Sequence, residues 1–345
     1  GDGEGILSKL VRNVFAALLL ATILGPTHAV ATAVVVPDDV ASVQAAIDSW
    51  ADTVIVRQGN YPERPSIDHP VVLRGLGPGE RPRLQGLDIF NTNFWVTTPV
   101  LKVDGISFSG RVEHTTVKYR PRHLEFEFSN SHLEGGLYFF TTDPDDVALL
   151  TITNCRLAGT SWARAYTVEL RGDTIADLSL SAHDQSIEEC RFTGGNIGLR
   201  LSDPSRGTVA RNHFENYATA IEVRDTDGTT LEGNSIAHCS TGIRILGSGA
   251  QVDGNTINST NTGVYCDCIE LVLRHNAIIG GTGPGISLVD VGSVVVEGNV
   301  IGEHGGPGIL SEWFGTGSSA TVRGNTVFRN HGSGIKLARP PGYCV

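Results

Sequence analysis

Between Val209 and Val327 the apolar and polar positions fall into one recurring phrase, Φ-x-x-Asn-x-Φ, where Φ is apolar. It reads Val209–Asn212–Phe214, Leu231–Asn234–Ile236, Val252–Asn255–Ile257, Leu273–Asn276–Ile278, Val296–Asn299–Ile301 and Val322–Asn325–Val327. The asparagines step by 22, 21, 21, 23 and 26 residues. A period in the low twenties means one small supersecondary unit stacked on copies of itself. A second phrase follows each copy, as in Ala220-Ile221-Glu222-Val223, Gly242-Ile243-Arg244-Ile245 and Gly285-Ile286-Ser287-Leu288. Its period of two turns the aliphatic residues inward and the variable residue outward. Each period therefore holds at least two short strands, with glycine where the backbone bends.

Upstream the phrase loosens. Ile152–Cys155–Leu157 and Ile187–Cys190–Phe192 keep the apolar spacing with cysteine in the asparagine column, and the 35 residues between those cysteines predict a loop insertion. Val71–Gly75, Leu101–Ile106 and Phe128–Leu133 read as degenerate coils. Nearer the N-terminus, Val43, Ile47 and Trp50 recur at helical spacing, with Asp38 or Asp39 to cap the start. Thr53-Val54-Ile55-Val56 reads as a strand and Gly59-Asn60-Tyr61 as a turn. A short amphipathic helix there covers the apolar end of the first coil.

The start of the chain bears on its location. Lys9 and Arg12 precede an apolar run, Val14–Leu24, and small-residue sites follow at Ala29-Val30-Ala31 and Ala31-Thr32-Ala33. That order predicts a signal peptide over 1–33 and a secreted, periplasmic or cell-surface protein. The run is about half the roughly 20 residues a membrane span needs, so no span is expected after cleavage. The 26 Lys and Arg against 37 Asp and Glu give a net charge of −11, which argues against nucleic acid as partner. Six cysteines in an export setting make some disulfide pairing reasonable.

The paired phrases, Asn-x-Φ followed by Gly-Ile-x-Φ, resemble the repeat of the right-handed parallel β-helix, pectate-lyase-like superfamily. Val43-Gln44-Ala45-Ala46-Ile47, with Asp52–Val56 and Gly59-Asn60-Tyr61, is similar to the cap and first coil of its members. The resemblance covers Pro37–Gly75 and Ile187–Leu337. It implies an all-β chain: one right-handed parallel β-helix of about ten to twelve coils with a short N-terminal capping helix. Cap and first coil occupy 34–75, irregular coils with loop insertions 76–186, and regular repeats 187–337.

Stacked about 4.8 Å apart, the asparagines Asn212 to Asn325 should form an internal hydrogen-bonded ladder with no chemistry of its own. Cys155 and Cys190 share that column; on adjacent coils they would fall within disulfide range, so a disulfide or a thiol stack is expected. Cys266-Asp267-Cys268 lacks the further ligands of a zinc site, and Cys266 falls at an inward position, which predicts burial.

Function is sought on the outward column, read as Glu169, Arg200, Glu222, Arg244, Tyr265, Ser287, Leu310, Lys336, with Arg171, Ser202, Arg224, Leu246 and Asp267 beside it. In the superfamily the equivalent sheet lines a saccharide groove. That resemblance marks Arg200, Arg224, Arg244 and Lys336 as candidate catalytic groups, since β-elimination needs a base, and Glu222, Tyr265 and Asp267 as candidate substrate contacts. A ladder of alternating charge, Glu169/Arg200/Glu222/Arg244, is the structural alternative. Asp203, Asp225 and Asp227 should stack on neighbouring coils, which makes them a candidate calcium site or ordinary turn formers. Asp143-Pro144-Asp145-Asp146 resembles the D-P-H-D signature of alginate C5-epimerases, with Asp145 in place of the histidine.

Two functional classes follow: an exported protein that binds or modifies an acidic polysaccharide along the outward strand face, or a non-catalytic surface or periplasmic scaffold.

Overall fold

The computed structural model describes residues 32–77, 79–90, 100–115, 124–141, 148–202, 206–226, 228–247, 249–312 and 318–337. Residues 1–31 of the expected signal peptide, the Asp143–Asp146 stretch, Asp203 and Asp227 lie outside them.

Each full coil contributes to three sheets, and every strand pairing is parallel. In sheet 1 the inward column runs in register through Val34, Val54, Leu73, Val103, Phe128, Ile152, Leu170, Ile187, Val209, Leu231, Val252, Leu273, Val296 and Val322, fourteen rungs in all. That exceeds the ten to twelve coils expected. Sheet 2 extends from Asn60–Tyr61 to Thr326–Phe328, and sheet 3 from Ser66–Ile67 to Ile335–Leu337. The inward columns of all three sheets form a single apolar core, from Val36 at one end to Ile309 at the other. Phe192 and Phe214 stack within it, ring centroids 4.3 Å apart.

The added coil sits between the two column cysteines. Arg156–Arg171 and Thr174–Glu188 form long strands that turn corners without breaking and place Leu170 in register between Ile152 and Ile187. The expected loop insertion is instead a tight coil of 18 residues from Ile152 to Leu170, which the asparagine phrase does not mark because Asp173 takes the column position. Cys155 and Cys190 are therefore two coils apart, and both are free and buried. No disulfide joins them.

The turn between sheets 1 and 2 explains the asparagine column. The residue before each ladder position adopts a left-handed conformation, for example Arg211 at φ 56°, Gly233 at 60° and Gly254 at 64°. This bend points the next side chain inward along the stack. Asn212 donates from both its backbone N and Nδ2 to Asn234 Oδ1, at 3.0 Å each, and from Nδ2 to Ile187 O at 2.8 Å. The pattern repeats through Asn234, Asn255, Asn276 and Asn299 to Asn325. All but the last are fully buried. Buried amides stay favourable only when satisfied in this way. At the start of sheet 3 the glycines have a packing cause: a Cβ on Gly242 would lie 2.6 Å from Gly263 O on the next coil.

The N-terminal end is capped as expected, with changed details. Helix α1, Val43–Asp48, buries Val43, Ala46 and Ile47 against the first strands. Its cap is Ser42, whose Oγ accepts from Ala45 N at 3.1 Å, rather than Asp38 or Asp39. Glu63 accepts from the Val43 and Gln44 amides at 2.9 and 3.2 Å and ties the helix to the first coil. Trp50, expected on the buried face, lies beyond the helix with φ 59° and stacks on His69 at 4.3 Å.

Candidate functional site on the outward face of sheet 3

Sheet 3 fixes which side chains share the outward face. One column runs Asp88, Glu113, Tyr138, Trp162, Ser179, Arg200, Glu222, Arg244, Tyr265, Ser287, Leu310, Lys336. Its neighbour runs Phe140, Arg164, Ser181, Ser202, Arg224, Leu246, Asp267. Glu169 and Arg171 do not belong here. They pair with Thr151 and Thr153 in sheet 1, because the unmarked extra coil shifts the count upstream of Arg200.

Arg200, Glu222 and Arg244 occupy successive rungs, and Arg224 stands two residues from Glu222 on the same strand. The Glu222 side chain is 1% exposed, roofed by the three arginines. Arg200 Nε and Arg224 Nε donate to its Oε1 at 2.8 and 2.6 Å, and Arg244 Nη1 lies 3.6 Å from Oε2. Burial pushes the Glu222 carboxyl up, but the bonds from Arg224 and Arg200 outweigh it and hold the carboxyl below its ordinary range. The Arg224 guanidinium is correspondingly held above its own range, chiefly by its bond to Glu222, with burial acting against it and Asp225 adding a smaller pull.

The alternating-charge ladder is thus only partly realised. Three guanidiniums face the single carboxylate of Glu222, and the cluster keeps excess positive charge in an acidic protein. The guanidinium-bearing side chains remain 38–45% exposed. Their donors therefore stay open to a ligand while the carboxylate beneath sets their positions.

Around this centre, Arg244 lies over the Tyr265 ring at 5.6 Å. Asp267 is exposed two rungs from Arg224, between Cys266 and Cys268, which point inward, are buried as expected for Cys266, and form a disulfide. Lys336 stands four rungs from Arg244, about 19 Å along the stack, outside the cluster. Of the expected calcium ligands only Asp225 is among the described residues, where no group of three or more His, Cys, Asp or Glu converges as metal ligands do.

Sequence reasoning missed the aromatic part of the face. Tyr138, Phe140 and Trp162 point outward on two adjacent rungs, with Phe140 and Trp162 stacked at 5.1 Å. The period-two alternation of Leu137-Tyr138-Phe139-Phe140 and Ser161-Trp162-Ala163-Arg164 carries this signal, once the extra coil is known.

The profile of the right-handed β-helix region family matches residues 139–270 and 267–339, together more than half of the chain. The chain belongs to this family. No curated protein sequence matches it. Among solved structures it is similar to the periplasmic alginate epimerase AlgG (14% identity, TM-score 0.51, covering 87% of this chain and 83% of that one). It is similar also to the Azotobacter vinelandii mannuronan C-5 epimerase AlgE4 A-module (14%, 0.51, covering 88% and 93%). A third is bacteriophage CBA120 tailspike protein 3 (13%, 0.54, covering 85% and 58%). At these identities the likeness is one of fold.

Proposed function

We propose that the outward face of sheet 3 binds an acidic polysaccharide, with Arg200, Arg224 and Arg244 as its anion-recognising centre. The observation that carries this reading is one buried carboxylate holding three half-exposed guanidiniums in place. Such a set presents fixed, charge-assisted donors to the carboxylates of a uronate chain. Tyr265 and Asp267 extend the same face with groups suited to sugar hydroxyls, and Glu222 acts as a positioning residue beneath the arginines. Two of the fold relatives act, by name, on alginate and mannuronan, and one is named as periplasmic. An exported location, expected from the signal-like residues 1–33, fits such a ligand.

Binding without bond cleavage is the better-supported form. A lyase base must release its proton, yet Arg200 and Arg224 donate Nε–H to Glu222, and Arg224 is held more firmly protonated than usual. Lys336 is too far from the cluster to act with it.

Calcium bridging through Asp225, with Asp203 and Asp227, would appear as calcium-dependent affinity. The test is calorimetric titration of the whole chain with pectate, alginate and glycosaminoglycans, with and without calcium, while absorbance follows unsaturated products. Binding to at least one polyanion without product is expected. No binding across the panel would reject the proposal in favour of a non-catalytic scaffold.

A further inference from the structure

We propose that Tyr138, Phe140 and Trp162, with Arg111 and Arg164, form a second subsite where sugar rings of the same acidic chain stack. This inference rests on the polysaccharide reading above and adds the length and direction of the bound ligand.

Outward positions on sheet 3 are otherwise mostly polar or charged, and the core already buries its own aromatic residues. Rings are not needed on this face for burial, yet three stand on two adjacent rungs. Their geometry is organised. Phe140 and Trp162 lie nearly parallel, 22° between planes. Arg111 Cζ sits 4.2 Å from the Tyr138 centroid, and Arg164 Cζ 5.7 Å from that of Phe140. Among the described residues neither Arg111 nor Arg164 forms a salt bridge with a carboxylate, whereas Arg64 on the preceding rungs is paired with Asp88 and Glu113. The platform therefore combines apolar ring faces with two cations that have no carboxylate partner among the described residues. A pyranose uronate matches both features: the C–H face of the sugar packs on the ring, and its carboxylate meets a guanidinium.

The platform and the arginine cluster lie on one line. From Trp162 the column passes Ser179 to Arg200, with Ser181 and Ser202 alongside, so small side chains floor the stretch between them. Tyr138 to Arg244 is five rungs, about 24 Å at the spacing of paired strands. A ligand that reaches both ends gains from linking two weak sites, while a short one reaches only one. The bound chain accordingly lies along the solenoid axis.

The test uses size-defined oligouronates of the class found to bind. With the wild-type chain, affinity should rise steeply until the oligomer spans both subsites and then level off. Trp162→Ala should lose about tenfold in affinity for the long oligomers and little for the short ones. Arg111→Gln/Arg164→Gln should act in the same direction without touching the stacked rings. Tryptophan fluorescence should change on binding of long oligomers to wild type, and that change should be lost in Trp162→Phe. If Trp162→Ala and the double arginine variant both bind long oligomers like wild type while Arg200→Gln/Arg244→Gln does not, this inference fails and the arginine-cluster reading stands. If wild type binds no oligouronate, both fail.

Discussion

Replacing Asp173 by asparagine should stabilise the folded chain at pH 8 by about 4 kcal/mol and have little effect at pH 4. Asp173 stands in the internal ladder, 1% exposed, between Cys155 and Cys190. It accepts from Cys155 N at 2.7 Å, and its second oxygen lies 3.9 Å from Cys190 Sγ. Further along, each asparagine uses Nδ2 to donate to a carbonyl of the preceding coil; an ionised aspartate has no proton to donate. Burial pushes the Asp173 carboxyl up to about 7, although bonds from the Cys155 and Arg171 backbone and the Cys190 thiol oppose the shift. The neighbouring thiols are pushed up to about 12, mainly by burial, and stay protonated.

The sign follows from linkage. A carboxyl near 7 in the folded chain and near 4 in the unfolded chain binds more protons when folded. Its contribution is complete below pH 4, falls by roughly 1.4 kcal/mol per pH unit between 4 and 7, and is lost above 7. Urea unfolding of wild type and Asp173→Asn at pH 5 and pH 8 checks this. The gap between the two proteins should widen by about 3 kcal/mol from pH 5 to pH 8. A gap that does not change with pH would show that Asp173 is already ionised at pH 5 in the folded chain.

Glu222→Gln has two effects in opposite directions. Removing the charge leaves Arg200, Arg224 and Arg244 facing one another over a neutral amide, and stability should fall by about 1–2 kcal/mol. The side chains of these arginines are 38–45% exposed, so water screens part of the repulsion and keeps the cost below that of a fully buried pair. The same change adds one unit of positive charge to the face. Affinity for a polyuronate should therefore rise severalfold, by about 1 kcal/mol or less. Denaturation and calorimetry on one protein preparation separate the two. Weaker binding would mean that the positions Glu222 imposes on the arginines matter more than the charge it removes.

The stacked architecture was legible in the sequence because the solenoid repeats its own register. Each Φ-x-x-Asn-x-Φ phrase reports one turn, and the structure places Asn212 to Asn325 in one column. Legibility failed where the column residue changed. Asp173 is flanked by Gly172 and followed by Ile175, as an asparagine phrase would be, but an acidic side chain is not expected inward. From the sequence alone a whole coil therefore reads as a loop, and the outward count upstream of Arg200 falls on another sheet. Counted that way, Glu169 joins the face and Trp162 is left out, whereas Glu169 lies in sheet 1 and Trp162 on the outward face of sheet 3. Downstream, where the asparagines keep the count, Arg200, Glu222, Arg224, Arg244, Tyr265 and Asp267 fall where the period of two places them. Periodicity alone could not show that three guanidiniums converge on a single carboxylate, because that depends on rotamers and the reach of long side chains across rungs.

The most direct test of the central claim is to titrate a long oligouronate into wild type and into Arg200→Gln/Arg244→Gln at low and at physiological salt. Wild type should bind, more weakly as salt rises, and the double variant should lose about tenfold or more at low salt with a flatter salt dependence. Because it strips two guanidiniums from the buried Glu222 carboxylate, the variant should also unfold at a lower denaturant midpoint, so both proteins are titrated under conditions where they are fully folded. Equal affinity and equal salt dependence for the two proteins would contradict the assignment of this face as the anion-recognising site.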